Sequence, residues 1–386
     1  MITTALPQKP SVPISLTRSY FPPADIGVFQ REAAEILLGS VSMGRWVERF
    51  QRMAAMAQGT RFALATNSCT SALEVALLAC GVRPGDRVIV PVQTFIATGM
   101  AVHNIGAEPV FADIRRETLC LDPSELSRLA DEKVKAVIHV HFGGLIPPDI
   151  LRIREICDRH GWALIEDAAH AHGARLDGRA AGSFGAAACF SYYPTKVLTA
   201  GEGGMIVTDD ERIAEICRSY QLRGQDVSLP GEQFARPYGR NIRMPELSAL
   251  LGVLQYGRLG CFVRARRSVA SVYDAMLADE PAIVRPFAPT ECFHNYWLYT
   301  LILPPGVDRE AIKVRCKQRW DIELGWSYFP PLHLMPVFRE LYGTREGRLP
   351  VAEDLLARTL CLPMHPLIGE ADAQRVAECF LHEYRR

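Results

Sequence analysis

The 386-residue sequence has no CxxC pair, and its eleven cysteines are scattered along the chain. Their spacing excludes the usual cysteine frameworks of structural zinc and of dithiol redox chemistry. The odd count, together with a start (MITTALPQKPSVPISL) that lacks a basic stretch followed by an apolar one, points to reduced thiols and a cytoplasmic location. No run of about 18 apolar residues occurs, so no membrane span is expected. Charge of one sign is not in excess either. Lys and Arg number 43, Asp and Glu 43, which leaves no global field for nucleic acid or an anionic membrane. Internal repeats and low-complexity tracts are absent as well.

Apolar residues make up 48% of the chain and charged ones 22%, the balance of a folded, enzyme-sized protein. At roughly 150 residues per unit, two or three cores are expected. From about Arg61 to Asp210, short apolar runs alternate with helical spacing, which predicts an α/β fold with a mostly parallel sheet flanked by helices. Strands are expected at 61–65, 87–91, 109–113, 134–141, 163–166, 187–191 and 204–208, with helices at 71–80, 96–104, 122–130 and 150–160. A helical stretch at 246–278 is expected to bridge two domains or to form a subunit contact. A strand at 296–303 and helices at 308–319, 351–357 and 372–384 then predict a smaller C-terminal α/β layer. Residues 1–40 are expected to form an N-terminal arm and first helix, 41–260 a large cofactor-binding domain and 261–386 a small domain. Pro7, Pro10, Pro13, Pro22 and Pro23 make the arm read as extended up to its helix.

Three motifs carry chemistry. Thr66-Asn67-Ser68-Cys69-Thr70-Ser71 follows a strand and opens a helix, where hydroxyls, backbone amides and the helix dipole would hold a phosphate; an ordinary helix cap explains the same residues. Ile165 to Gly173 sets Glu166 and Asp167 at the C-terminal end of a buried strand, the place where α/β proteins build sites. One carboxylate there would suit a cationic ring nitrogen, and a strand-end cap is the plain alternative. A metal held by Asp167, His170 and His172 fits no helical pair and no zinc spacing, so no metal is expected. Finally, Phe190 to Lys196, followed by Gly201, Gly203 and Gly204, places a lysine among aromatic and small residues, where it loses its proton more easily and can form an imine with an aldehyde. The glycines precede a strand, so they are no dinucleotide fingerprint.

A phosphate cradle, an acid at a strand end and a lysine beyond it are together the parts of a pyridoxal phosphate enzyme. With Pro84 to Pro91, Thr94-Phe95, Asn241 to Glu246 and Tyr328 to His333, these motifs make the chain resemble, along nearly its whole length, the sugar aminotransferase family named after DegT, DnrJ and StrS, a branch of the fold type I aminotransferases. The resemblance implies that Lys196 carries pyridoxal 5'-phosphate as a Schiff base and moves the proton, and that Asp167 pairs with the pyridinium nitrogen. It implies Phe95 on one ring face with Ala169 and His170 on the other, phosphate contacts from Thr70, Ser71 and Ser191, and Asn241 reaching in from the partner of a homodimer with shared sites. Tyr328 and His333 are implied on the substrate side. The reaction implied takes an amino group from an amino acid, L-glutamate or L-glutamine, to a ketosugar or keto-cyclitol, some of them nucleotide-linked. Departures from the family pattern are Cys69 for a small residue, Val197 for an Asn and Ile242 for a Tyr. His170 and the segment from Lys196 to Gly204 resemble branches that act on cyclitols or make aminohydroxybenzoate, whereas Tyr192 to Lys196 resembles sugar-acting ones. An aromatising dehydratase of the same family and a non-catalytic cofactor-binding regulator therefore stay open as alternatives.

Overall fold

In the computed structural model, which describes residues 13–226, 229, 233, 239–286, 288–325 and 328–386, a central sheet of seven strands is covered by helices. Its strands are β1 (Phe62–Thr66), β2 (Arg87–Pro91), β3 (Glu108–Ala112), β4 (Val134–Val140), β5 (Ala163–Asp167), β8 (Ala187–Ser191) and β9 (Gly204–Thr208). The spatial order is β1-β9-β8-β5-β4-β2-β3, with only β9 running against the rest. Short strands β6 (Arg175–Leu176), β7 (Arg179–Ala180) and β10 (Cys292–Phe293) form a side sheet, and β11 (Tyr299–Ile302) pairs with β12 (Thr359–Leu362). Strands β8 and β9 are buried at every position, so their apolar runs do not alternate.

Helices α1 (Pro23–Leu38), α2 (Arg45–Gln58), α3 (Cys69–Ala79), α4 (Ile96–Asn104), α5 (Pro123–Leu129), α6 (Asp149–His160) and α7 (Glu211–Gln221) are followed by α8 (Glu246–Tyr256) and α9 (Leu259–Met276). The C-terminal part adds α10 (Arg309–Trp320), α11 (Pro336–Tyr342), α12 (Pro350–Ala357) and α13 (Glu370–Tyr384). One of these helices corrects the sequence reading: the stretch at 246–278 is two helices broken at Gly257 and Arg258. The first helix, expected within residues 1–40, starts at Pro23, because a proline in the first turn needs no N–H partner and its φ suits a helix. Pro7 and Pro10 lie outside the described residues. An ion pair between Asp25 and Arg258 fastens α1 to the start of α9.

Two apolar cores result. The larger lies on both faces of the seven-stranded sheet; the second gathers β11, β12, α10 and α13 with Ile14. Helix α9 serves both, burying Phe262 and Val263 in the first and Val269, Ala270 and Tyr273 in the second. Close crossing of α2 and α8 rests on two glycines. A Cβ on Gly252 would sit 2.4 Å from the Phe50 ring, and one on Gly44 would sit 2.8 Å from Glu246 Oε2. Glu246 in turn accepts from the backbone amides of Gly44, Trp46 and Val47, so a buried carboxylate from α8 satisfies the start of α2 and meets its positive end. This packing carries the floor of the site, since Phe50 lies edge-on to Tyr192 at 4.7 Å.

Candidate active site

The C-terminal ends of β1, β2, β5 and β8 open onto one cavity of about 580 Å³. Four chain turns supply its polar groups. After β1, Ser68 caps α3 by accepting from the Ser71 amide at 3.1 Å, so the first turn of α3, with Cys69 and Thr70, faces the cavity. A helix start of this kind favours an anion. After β2, Phe95 stands at the start of α4, 55% exposed at the cavity mouth, and Thr98 lies one turn in. Strand β5 ends on Asp167, and the turn after it carries Ala169 and His170. Ser191 ends β8, and Lys196 sits in the loop beyond.

Asp167 is buried. Thr98 donates its hydroxyl to Oδ2 at 2.8 Å, and the Ala169 amide donates to Oδ1 at 3.2 Å. Burial pushes its pKa up, against the pull of these bonds and of Lys196. Among the described residues no cationic side chain forms an ion pair with it. A carboxylate kept ionised in such a place calls for a cation, and the donor set therefore fits a protonated ring nitrogen entering the cavity. Lys196 is shifted the opposite way: burial brings its pKa down to about 8, although Asp167 and Cys69 both hold it up. His170, pushed well down by burial and by Lys196, stays neutral. It shares a 2.9 Å hydrogen bond with the Tyr328 hydroxyl.

Of the residues expected here, Thr70, Phe95, Asp167, His170, Ser191, Lys196 and Tyr328 line the cavity together. The structure does not bring five others to it. Ser71 serves the Ser68 cap, its hydroxyl accepting from Ser68 Oγ. Asn241 is exposed, bridged through its backbone to Leu222. His333 is buried against Glu353 at 3.0 Å and belongs to a separate cavity with Arg87 and Tyr342. Val197 and Ile242 are core residues, so their departure from the family pattern bears on packing. Cys69 does line the cavity, with its thiol held protonated by burial and by Asp167.

Sequence reasoning missed Thr98, Trp297 and Glu202, all of them lining the cavity. Thr98 carried a usable signal: with Thr94 it forms an i, i+4 pair of hydroxyls, 2.7 Å apart, at the start of an apolar helix. Trp297 comes from a segment distant in sequence and read only as a strand. Among the described residues no group of three His, Cys, Asp or Glu side chains is placed to hold a metal, and no helix is long and apolar enough to cross a membrane.

The model of the DegT/DnrJ/EryC1/StrS aminotransferase family matches residues 25–381. GDP-perosamine synthase of Caulobacter vibrioides is 36% identical over 338 residues, covering 87% of this chain and 89% of its own. The dTDP-3-amino-3,4,6-trideoxy-alpha-D-glucose transaminase of Micromonospora megalomicea subsp. nigra is 35% identical over 362 residues, 91% and 95% of the two chains. The crystal structure of NtdA from Bacillus subtilis with bound cofactor PMP superposes with a TM-score of 0.87 at 26% identity, covering 95% of this chain and 83% of that one.

The lowered pKa has a measurable consequence before any cofactor is added. Only the neutral amine attacks an acylating reagent, so acylation of Lys196 in the cofactor-free protein should be half-maximal near pH 8, where ordinary lysines titrate near 10.5. Peptide mapping after brief acetic anhydride treatment across pH 6 to 11 reads it; a Lys196 midpoint among those of the surface lysines would contradict the burial effect.

Proposed function

The chain belongs to the DegT/DnrJ/EryC1/StrS aminotransferase family, and from that premise we propose that it moves an amino group from L-glutamate or L-glutamine to the keto carbon of a nucleotide-linked ketosugar, with Lys196 and Asp167 as its catalytic pair. The family is pyridoxal phosphate-dependent, and the relatives' names, GDP-perosamine synthase and a dTDP-aminosugar transaminase, favour the nucleotide-linked acceptor over a free cyclitol. The observation that carries the proposal is one cavity holding an activated lysine, a buried carboxylate and the start of α3.

When bound, pyridoxal phosphate supplies an aldehyde and an electron-accepting ring. Lys196 would hold it covalently; Asp167 would keep the ring nitrogen protonated; Ser68, Thr70 and Ser191, with the start of α3, would hold the phosphate. Phe95 and His170 would flank the ring. Lys196 is the base at hand, since its burial lowers the cost of the neutral amine. His170, kept neutral, and the Tyr328 hydroxyl offer hydrogen bonds toward the substrate side without a competing charge. Exposure of Asn241 on this chain suits a residue that serves a partner's phosphate site in a homodimer.

Two expected outcomes follow from this assignment. Borohydride reduction of the cofactor-loaded protein should fix the label on the Lys196 peptide, and L-glutamate should convert its cofactor absorption to that of the amine form, both lost in Lys196→Ala. Label on another lysine, or a spectrum indifferent to both amino donors, would contradict it. For the dimer, Asn241→Ala should weaken cofactor retention about ten- to a hundredfold through loss of a hydrogen bond to a charged group. Mixed Asn241→Ala and Lys196→Ala subunits place both defects in one site and none in the other, so activity at limiting cofactor should partly return. Proven subunit exchange without recovery would return Asn241 to its own subunit.

A further inference from the structure

We propose that Trp297 is a positioning residue for Lys196, with the indole face receiving the ammonium and the indole N–H anchoring the loop that carries it. Lys196 Nζ stands 4.1 Å from the Trp297 ring centroid, and Trp297 Nε1 donates to the Thr195 carbonyl at 2.7 Å. His170 also stacks on this indole, at 3.7 Å and 19°. Trp297 thus touches both the Lys196 loop and the turn that follows Asp167, and it is itself buried.

The indole is held firmly. Asn295 donates through Nδ2 to the carbonyls of His170 and His172 at 2.7 and 2.9 Å, and its Oδ1 accepts from the Trp297 amide at 2.9 Å. Gly144 is bare for this contact, since a Cβ there would lie 1.7 Å from Asn295 Oδ1. Tyr296 takes a φ of +50°, an unfavourable region for a bulky side chain, and its amide donates to His294 Nδ1 at 2.8 Å. Arg266, buried and without a carboxylate partner among the described residues, donates to the carbonyls of Tyr296, Trp297 and Met364. Residues 294 to 297 form a buckle from the α9 side that closes on two loops of the sheet. Backbone strain held by so many bonds is the mark of a segment whose placement matters.

The groups that act on the Lys196 ammonium are Asp167 from β5, Cys69 from α3, and His170 and His172 from the turn after β5; Glu202 lines the same cavity. Asp167 and the indole face favour the charged amine, while burial opposes it. The indole therefore restrains how far the lysine is discharged, and it gives the freed ammonium a resting place 4.1 Å from a ring that cannot take its proton. This inference rests on Lys196 being the cofactor lysine, but its test needs no cofactor.

The test uses the full chain in its cofactor-free form and reads the pH midpoint of Lys196 acylation by peptide mapping. Tryptophans of rising fluorine number are placed at residue 297 by suppression; fluorine drains the negative ring face with little change of shape. The midpoint should fall stepwise along the series. In Trp297→Leu it should fall by about tenfold in proton affinity, and in Trp297→Phe, which keeps a ring face but loses the N–H bond to the Thr195 carbonyl, by less, about threefold. A midpoint that is flat or rises along the fluorine series would overturn the inference, as would Trp297→Phe behaving like Trp297→Leu. If Trp297→Leu does not fold, the fluorine series alone decides. Failure here leaves the aminotransferase reading intact, whereas cofactor trapped on another lysine defeats that reading whatever the midpoint does.

Discussion

One constraint organises the molecule: a buried carboxylate and a buried amine must share one cavity without closing on each other. Burial raises Asp167 and lowers Lys196, so each is less at ease in its charged form than in water. Left to themselves the two would relax into an ion pair. The scaffold prevents this by fixing each through its own neighbours, Asp167 by Thr98 and the Ala169 amide, Lys196 by the loop after β8 and the indole beside it. Space is thereby kept for a third body with a cationic edge.

Adjacent carboxylates show how finely strand geometry divides roles. Glu166 and Asp167 point to opposite faces of β5, as successive strand residues must. Glu166 is saturated: it shares a 2.7 Å bond with His141 and accepts from the amides of Gly182, Phe184 and Gly185. Those bonds tie down the loop before β8 and bring the strand that ends on Ser191 into register beside β5. Asp167, one residue on, faces the cavity. A slip of one residue in β5 would exchange the two and lose the site.

The alternation of apolar runs with helical spacing predicted the sheet because its strands are buried and helices such as α3 and α4 pack apolar residues against it; α4 begins and ends where its pattern does. Local signals also placed Thr70, Asp167 and Lys196, each tied to a strand end or a helix start. What sequence could not display is contact across distance. Trp297 enters the cavity from a hundred-residue separation, and only the turn at 294–297, held by Asn295 and Arg266, puts it there. His333 shows the reverse failure, since a family pattern set it near the substrate while packing gave it to Glu353.

The charge at Asp167 matters most, because in the proposed function that carboxylate would keep a ring nitrogen protonated. Asp167→Asn keeps the shape and removes the charge; its amide oxygen can still accept from the Ala169 amide while its NH2 donates to the Thr98 hydroxyl. Loss of a carboxylate at 4 to 6 Å shifts the partner's proton affinity by about one to three pKa units, so the single-turnover rate with L-glutamate should fall by about ten- to a thousandfold in a protein that melts like the parent. A rate within about twofold of the parent would show that the buried carboxylate is a strand-end cap and that the site works by some other charge.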